Sequence, residues 1–357
     1  MKFGSVPLAQ AHGAILAHSI ALPDGRLRKG QVLDADHIAA LGAAGIGHVI
    51  AATLGPQDVD ENTAAGALAD ALLRGSKGLH RSAAFTGRVN LVADSAGVAL
   101  LDIVALDAVN GVDAMITVAT VPAHHQLRAG DMVATIKIIS YAVDRTALQR
   151  AVAAAVAAEG GAISLAAPVL ETASLIITEI PGGAGEKGRA AIEDRLTALG
   201  VTLADVIVVP HTAEDLRRAV TAAMTPLVLI LTGSATSDID DVAPAALVAA
   251  GGRIVRFGMP VDPGNLLFLG SRGLEERRIQ QVIGLPGCAR SPALNGADWV
   301  LARVVCGIEV SARDISGMGV GGLLKEIPTR PQPRNPARKP PASLPQASHG
   351  PPTGLTE

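Results

Sequence analysis

Between about residue 172 and residue 259 the chain alternates apolar runs with amphipathic ones in strict order: SLIITEI, RAAIEDRLTALG, ADVIVVP, TAEDLRRAVTAAM, PLVLIL, VAPAALVAAGG and RIVRFGM. Strand followed by helix at this spacing predicts parallel strands joined by right-handed crossovers, a doubly wound, mostly parallel α/β sheet. Ligands of such sheets lie beyond the carboxyl ends of the strands. The loops that follow each strand are therefore the places to look for chemistry.

The preceding sequence has a different rhythm. LRKGQVLDADHIAALGAAGIGHVIAA predicts a short strand, an Asp-capped helix stopped at Gly45 and a second strand. DENTAAGALADALLRG follows as an amphipathic helix with Leu68, Leu72 and Leu73 on one face. From 87 to 143 the runs RVNLVAD, VALLDIVAL, AMITVATV and MVATIKIISYAV read as strands separated by turns. DRTALQRAVAAAVAAEGG is a helix leading out of them, packed on a neighbour. The expected organisation is an N-terminal α/β segment (1–60), a smaller β-rich α+β module (61–165), the α/β domain (172–327) and a proline-rich, disordered tail (328–357).

Composition removes several function classes. A net charge of −3 offers no basic field for nucleic acid, and aromatic residues at 2% of the chain leave no platforms for stacking bases. No apolar run is long enough for a membrane span, and the amino terminus has no signal-like apolar segment. Cys288 and Cys306 lack a C-x-x-C partner, which suits a reducing cytoplasm and ordinary thiols. The pair His124 and His125 precedes a turn and is expected in a surface loop, while Trp299 is expected in the core.

Three strand ends stand out. The first runs into PGGAGEKG, where Gly183, Gly185 and Gly188 form a G-x-G-x-x-G between strand and helix; this is the basis of an alternative reading as a nucleotide-binding oxidoreductase. Against it, the end of the next strand carries Pro210 and His211, where an acidic ribose-binding residue is wanted. The second is LTGSATSDIDDVAPA. Thr232, Gly233, Ser234, Ala235 and Thr236 would let backbone N–H groups approach an anion, and Asp238, Asp240 and Asp241 precede a helix. Those aspartates are either an N-cap or, because neighbouring carboxylates repel, a magnesium site built on Asp241 and Asp238. The third is GLPGCARSP, a small-residue loop with Arg290 and Ser291 ahead of the helix ALNGADWVLARVV, a candidate phosphate site. Between them, GMPVDPGN fixes a rigid turn through Pro260 and Pro263, with Asp262 and Asn265 as polar contacts.

Together these loops resemble the molybdopterin-binding domain of molybdopterin molybdotransferases and adenylyltransferases. That family's T-G-G-T-G, four residues, then Asp-Val-T-P pattern lines up without a gap on Thr232, Gly233, Ser234, Ala235 and Thr236, then Asp241, Val242, Ala243 and Pro244. Its G-L-P-G-N-P motif lines up on Gly284, Leu285, Pro286, Gly287, Cys288 and Ala289. The stretch 1–327 is also similar to a bacterial group in which a molybdopterin-binding half is joined to a nucleotidyltransferase half. Ser234, Thr236 and Asp240 depart from the pattern, and Thr178, Glu179, Ile180 and Pro181 stand where the family has T-G-D-E.

The resemblance implies a cytoplasmic, molybdopterin-binding protein of molybdenum cofactor biosynthesis, as a carrier or as an enzyme of molybdate insertion or nucleotidyl transfer with Mg2+. It implies that Gly233, Ser234 and Thr236, beside Thr232, line the phosphate and dithiolene pocket, that Gly284, Pro286 and Gly287 form the facing wall, and that Asp241, with Asp238, is the catalytic and metal-binding carboxylate. A homodimer and a cofactor-biosynthesis partner enzyme follow from the same likeness; nucleic acid and membrane do not.

Overall fold

The computed structural model describes residues 1–274 and 278–324. The expected disordered tail lies outside the described residues.

The amino-terminal strands Lys2–Pro7, His48–Thr53 and Ile15–Leu16 form an antiparallel sheet with His48–Thr53 in the middle. Helix Ala35–Ala43 closes over it, and Leu16, Leu33, Leu41 and Val49 are buried between them. Asp34 starts that helix by accepting the His37 N–H at 2.9 Å, a capping box that satisfies an otherwise orphaned donor.

The next stretch builds a four-stranded antiparallel sheet from Ile116–Thr120, Met132–Ile138, Arg88–Ala93 and Leu79–Arg81. A second sheet joins Gln126–Leu127, Gly97–Leu101 and Ile163–Ala166. Helices Glu61–Leu72, Ile103–Asn110 and Arg145–Val156 supply Leu68, Leu72, Leu106, Leu148 and Ala151 to their common core. The run VALLDIVAL is not one strand. Asp102 accepts the Ala105 N–H at 3.0 Å and turns the chain into helix Ile103–Asn110, so a cap in mid-run overrides the apolar continuity.

The third sheet has six strands in the order Thr202–Pro210, Thr172–Glu179, Leu227–Leu231, Ile279–Leu285, Phe268–Gly273 and Gly252–Phe257. The first four are parallel to one another. All five residues of Leu227–Leu231 have no exposed surface, and their side chains alternate between two cores. Leu227, Leu229 and Leu231 meet helices Arg189–Ala198 and Gly296–Val305 on one face, while Val228 and Ile230 meet Ala213–Ala222 and Val242–Ala249 on the other. A strand buried on both faces has to be apolar throughout, which is why PLVLIL shows no polar alternation.

RIVRFGM does not extend the parallel series. Its strand, Gly252–Phe257, forms the outer edge and pairs antiparallel with Phe268–Gly273. That partner is illegible in the sequence because FLGSRG carries two glycines and an arginine, yet it is buried over five of its six residues. Its glycines are set by contact: a Cβ on Gly270 would stand 2.5 Å from Leu247. Among the described residues no helix is long and apolar enough to cross a membrane.

Candidate functional site

Register brings the strand ends to one rim. Ile177 stands opposite Leu231, Leu231 opposite Leu285, and Glu179 opposite Pro210. The residues next in line, Thr178, His211, Thr232 and Pro286, therefore belong to four neighbouring carboxyl ends. Thr178 is buried at this edge; its hydroxyl oxygen accepts the Gly233 N–H at 2.9 Å and lies 2.7 Å from His211 Nδ1. Thr178 and His211 are rim residues outside the candidate site set; Thr178 falls in the T-G-D-E comparison, and the sequence signal of His211 is its position at the end of a strand.

The 232–241 loop is held by its own bonds. The Thr232 hydroxyl donates to the Ser234 carbonyl at 2.6 Å and sits 3.3 Å from the Thr236 hydroxyl. A Cβ on Gly233 would come 2.7 Å from the Thr178 carbonyl, so glycine is required by close approach to the first strand. Its N–H is used internally, contrary to the expectation that it faces an anion. Ser234 is exposed and Thr236 buried.

Asp241 Oδ1 accepts the Val242 N–H at 2.7 Å, and its Oδ2 accepts the Ser237 N–H at 3.0 Å. Asp238 Oδ1 accepts the Asp240 N–H at 2.9 Å. Asp241 is thus the N-cap of helix Val242–Ala249, and Pro244 falls in the first turn, where no backbone donor is needed. The repulsion that argues for magnesium is offset by backbone donors instead. Among the described residues no group of three or more His, Cys, Asp and Glu side chains is placed to hold a metal ion.

Arg290 and Ser291, expected as a phosphate site, have partners within the chain. The Arg290 guanidinium is spent on carbonyls: Nη1 donates to Gly185 at 3.0 Å and to Lys187 at 2.5 Å, and Nη2 donates to Thr232 at 2.9 Å. It closes the 183–188 loop onto the 232 strand end. The same bonds count against a dinucleotide loop, because carbonyls turned to a guanidinium are not the N–H nest a pyrophosphate needs. The helix expected near 291 begins at Gly296, and Asn295 and Asp298 already fill its amino terminus with a capping box. Ser291 is exposed, and its carbonyl accepts from Arg195 Nη2 at 2.8 Å.

The facing wall mixes a closed position with an open one. A Cβ on Gly284 would lie 1.9 Å from the Phe268 ring, whereas one on Gly287 would meet nothing within 4 Å. Pro286 is buried and Gly287 exposed. The 258–265 turn is tied elsewhere. Asp262 N–H donates to the Gly322 carbonyl at 2.8 Å and its carbonyl accepts from Leu324 at 3.0 Å, while Pro260 lies against Gly319 and Gly322. Cys288 and Cys306 are free thiols, and burial pushes the Cys306 thiol up to about 11.

Residues 173–303 match the family model of a probable molybdopterin binding domain. The matched domain contains the whole rim, which supports molybdopterin binding or a role in molybdenum cofactor biosynthesis. Residues 5–53 match a domain of unknown function (DUF8806). No curated protein matches the chain.

A sizeable cavity lies elsewhere. A cleft of about 970 Å3 opens between the 122–131 stretch and helices Arg189–Ala198, Gly296–Val305 and Ala312–Gly317, and no residue of 232–241 or 284–291 lines it. His124, in a loop turn, and Trp299, which also packs against the core, both line it. The family match and the aligned strand ends, rather than cavity size, place the pterin question at the rim.

Proposed function

We propose that the α/β domain binds molybdopterin at the strand-end rim, and that the chain serves molybdenum cofactor biosynthesis by holding or handing over the pterin. The observation that carries this reading is the alignment of four strand ends, with the 232–241 loop and Gly287 at their edge, inside the stretch matching the molybdopterin-binding family. In this reading Ser234, exposed at the loop, and Gly287, exposed on the facing wall, flank the ligand. Asp241 shapes the loop by capping a helix and is not asked to hold magnesium or to move a proton. A cytoplasmic setting that keeps Cys288 and Cys306 reduced belongs to the same reading.

Hand-over fits the rim better than catalysis does. Both oxygens of Asp241 are occupied by backbone donors, and Glu179 and Ile180 stand where the related pattern places a glycine followed by an acidic residue. Consumption of molybdopterin with molybdate or ATP by this protein alone would refute the carrier role and leave the binding site intact.

The test is anaerobic titration with molybdopterin, read by pterin fluorescence after oxidation. Gly287→Leu adds a side chain into open space, so stability should change by less than about 0.5 kcal/mol. Pterin affinity should fall about tenfold or more if Gly287 faces the ligand. Wild-type affinity in Gly287→Leu would remove the facing wall from the site, and no binding by the unmodified protein would end the pterin reading.

A further inference from the structure

The 970 Å3 cleft falls within the size of small-molecule pockets, about 300–1,000 Å3. At its wall Arg303 Nε is buried and has no hydrogen-bond partner among the described residues. A buried donor left unmade costs about 1–3 kcal/mol, and native structures rarely keep one without a reason.

Several of the cleft's other charged groups are engaged. Arg195 donates to Asp298 and to the carbonyls of Ala191, Ala289, Ser291 and Ala293. The Asp314 carboxylate accepts the Ser311 N–H at 2.8 Å and the Ser311 hydroxyl at 2.6 Å. The Asp131 carboxylate accepts the Arg128 N–H at 2.7 Å. Arg128 and Arg313 line the cleft as exposed cations, whereas Arg303 is partly desolvated, with the Asp314 charge near it and a buried Nε that has no hydrogen-bond partner among the described residues.

His124 shares this wall, on a backbone with φ of 60°, a left-handed conformation that costs a non-glycine residue energy. Burial first, and then the Arg303 charge, hold its imidazole below the ordinary range, with Asp314 pulling the other way. The open lining is mixed: Arg128, Asp131, Asp194 and Arg313 are exposed there beside apolar side chains. Leu294 is 56% exposed and Val320 99% exposed, and Trp299 is half-buried beside them. A partly desolvated cation at the wall beside apolar and aromatic side chains suits one class of ligand.

We propose that this cleft binds a small organic anion, a carboxylate or phosphate ester carried on a flat apolar body, with Arg303 pairing its charge and Trp299 covering its body. The ligand's oxygens pair with the accessible part of the Arg303 guanidinium, a charge-assisted bond in a partly desolvated place. The site is separate from the strand-end rim and does not depend on whether the rim binds a pterin.

Trp299 is the one tryptophan in the chain and lines the cleft, so its emission reports this site. The experiment titrates the full-length protein with phenyl phosphate, benzoate and inorganic phosphate in parallel. A saturable change is expected with at least one aromatic anion, tighter than with inorganic phosphate. Preference between phenyl phosphate and benzoate tells a phosphate ester from a carboxylate. In Arg303→Gln the affinity should fall about tenfold, which corresponds to 1.4 kcal/mol.

Absence of a saturable change with both aromatic anions, or unaltered affinity in Arg303→Gln, overturns the assignment. Should Arg303→Gln fail to fold, Val320→Glu decides. That position is almost fully exposed, so the substitution leaves the fold intact, and a carboxylate at the mouth should weaken anion binding severalfold. Equal affinity there would count against the proposal.

Discussion

Arg290 and Arg303 are both partly buried, and in both burial pulls the guanidinium down from its ordinary range. Their surroundings differ in kind. Arg290 ends among three backbone carbonyls that join two loops, and it is structural although it sits within a binding motif. Arg303 leaves a buried Nε without a partner among the described residues, and it sits in a helix that carries none of the motifs read from the sequence. The contrast extends to their regions. The rim is a place where the chain satisfies itself, and the cleft is a place where it does not. Motif likeness and unmet hydrogen-bonding capacity therefore mark different sites in this molecule.

The hardest test of a self-satisfied rim is to overfill it. Gly284→Ala should cost about 3 kcal/mol or more, because its Cβ would fall inside the Phe268 ring contact and the buried strand has no room to shift. Urea unfolding with an unchanged m-value would show this, and a loss under about 1 kcal/mol would mean that the rim is looser than its contacts imply.

The paired substitution bears on the comparison directly. Arg290→Gln should lose about 2–3 kcal/mol, since three carbonyls lose a charged donor. Arg303→Gln should stay within about 1 kcal/mol of the unmodified protein, since its Nε gives up no bond. Equal losses would erase the distinction.

The smallest expected effect is in the pH dependence of stability. The His124 imidazole is held below its ordinary value of about 6.5 in the folded protein. As pH falls through that value the unfolded chain takes up the proton first, so stability should fall from about pH 6.5 down to the lower folded value. His124→Gln should flatten the melting temperature across this window. Arg303→Gln should reduce the slope by removing one of the two causes, while Asp314, also near, keeps its opposing pull.

The doubly wound sheet was legible because PLVLIL and SLIITEI can be nothing but doubly buried strands between amphipathic helices. Phe268–Gly273 escaped because its place is fixed by Leu247 and Arg253, contacts that a local pattern does not contain. At the rim, composition pointed to the 232–241 loop but left the aspartates open between capping and cation binding; the backbone donors around Asp241 favour capping. Sequence could not assign Arg290 its partners because a basic residue near a helix start looks the same whether it faces a phosphate or three carbonyls. The cleft was invisible in sequence, since its walls come from stretches near 124, 195, 299 and 314 that only the fold brings together.

One side chain also sets a dimension. Because Arg290 reaches Gly185 and Lys187 with one nitrogen and Thr232 with another, the gap between the first and second strand-end loops is fixed by the span of a single guanidinium. A lysine, with one nitrogen to offer, could grip either side of that gap but not hold both at their present spacing. The two loops consequently open together or stay shut together, and a molecule entering between them meets a gauge of fixed width.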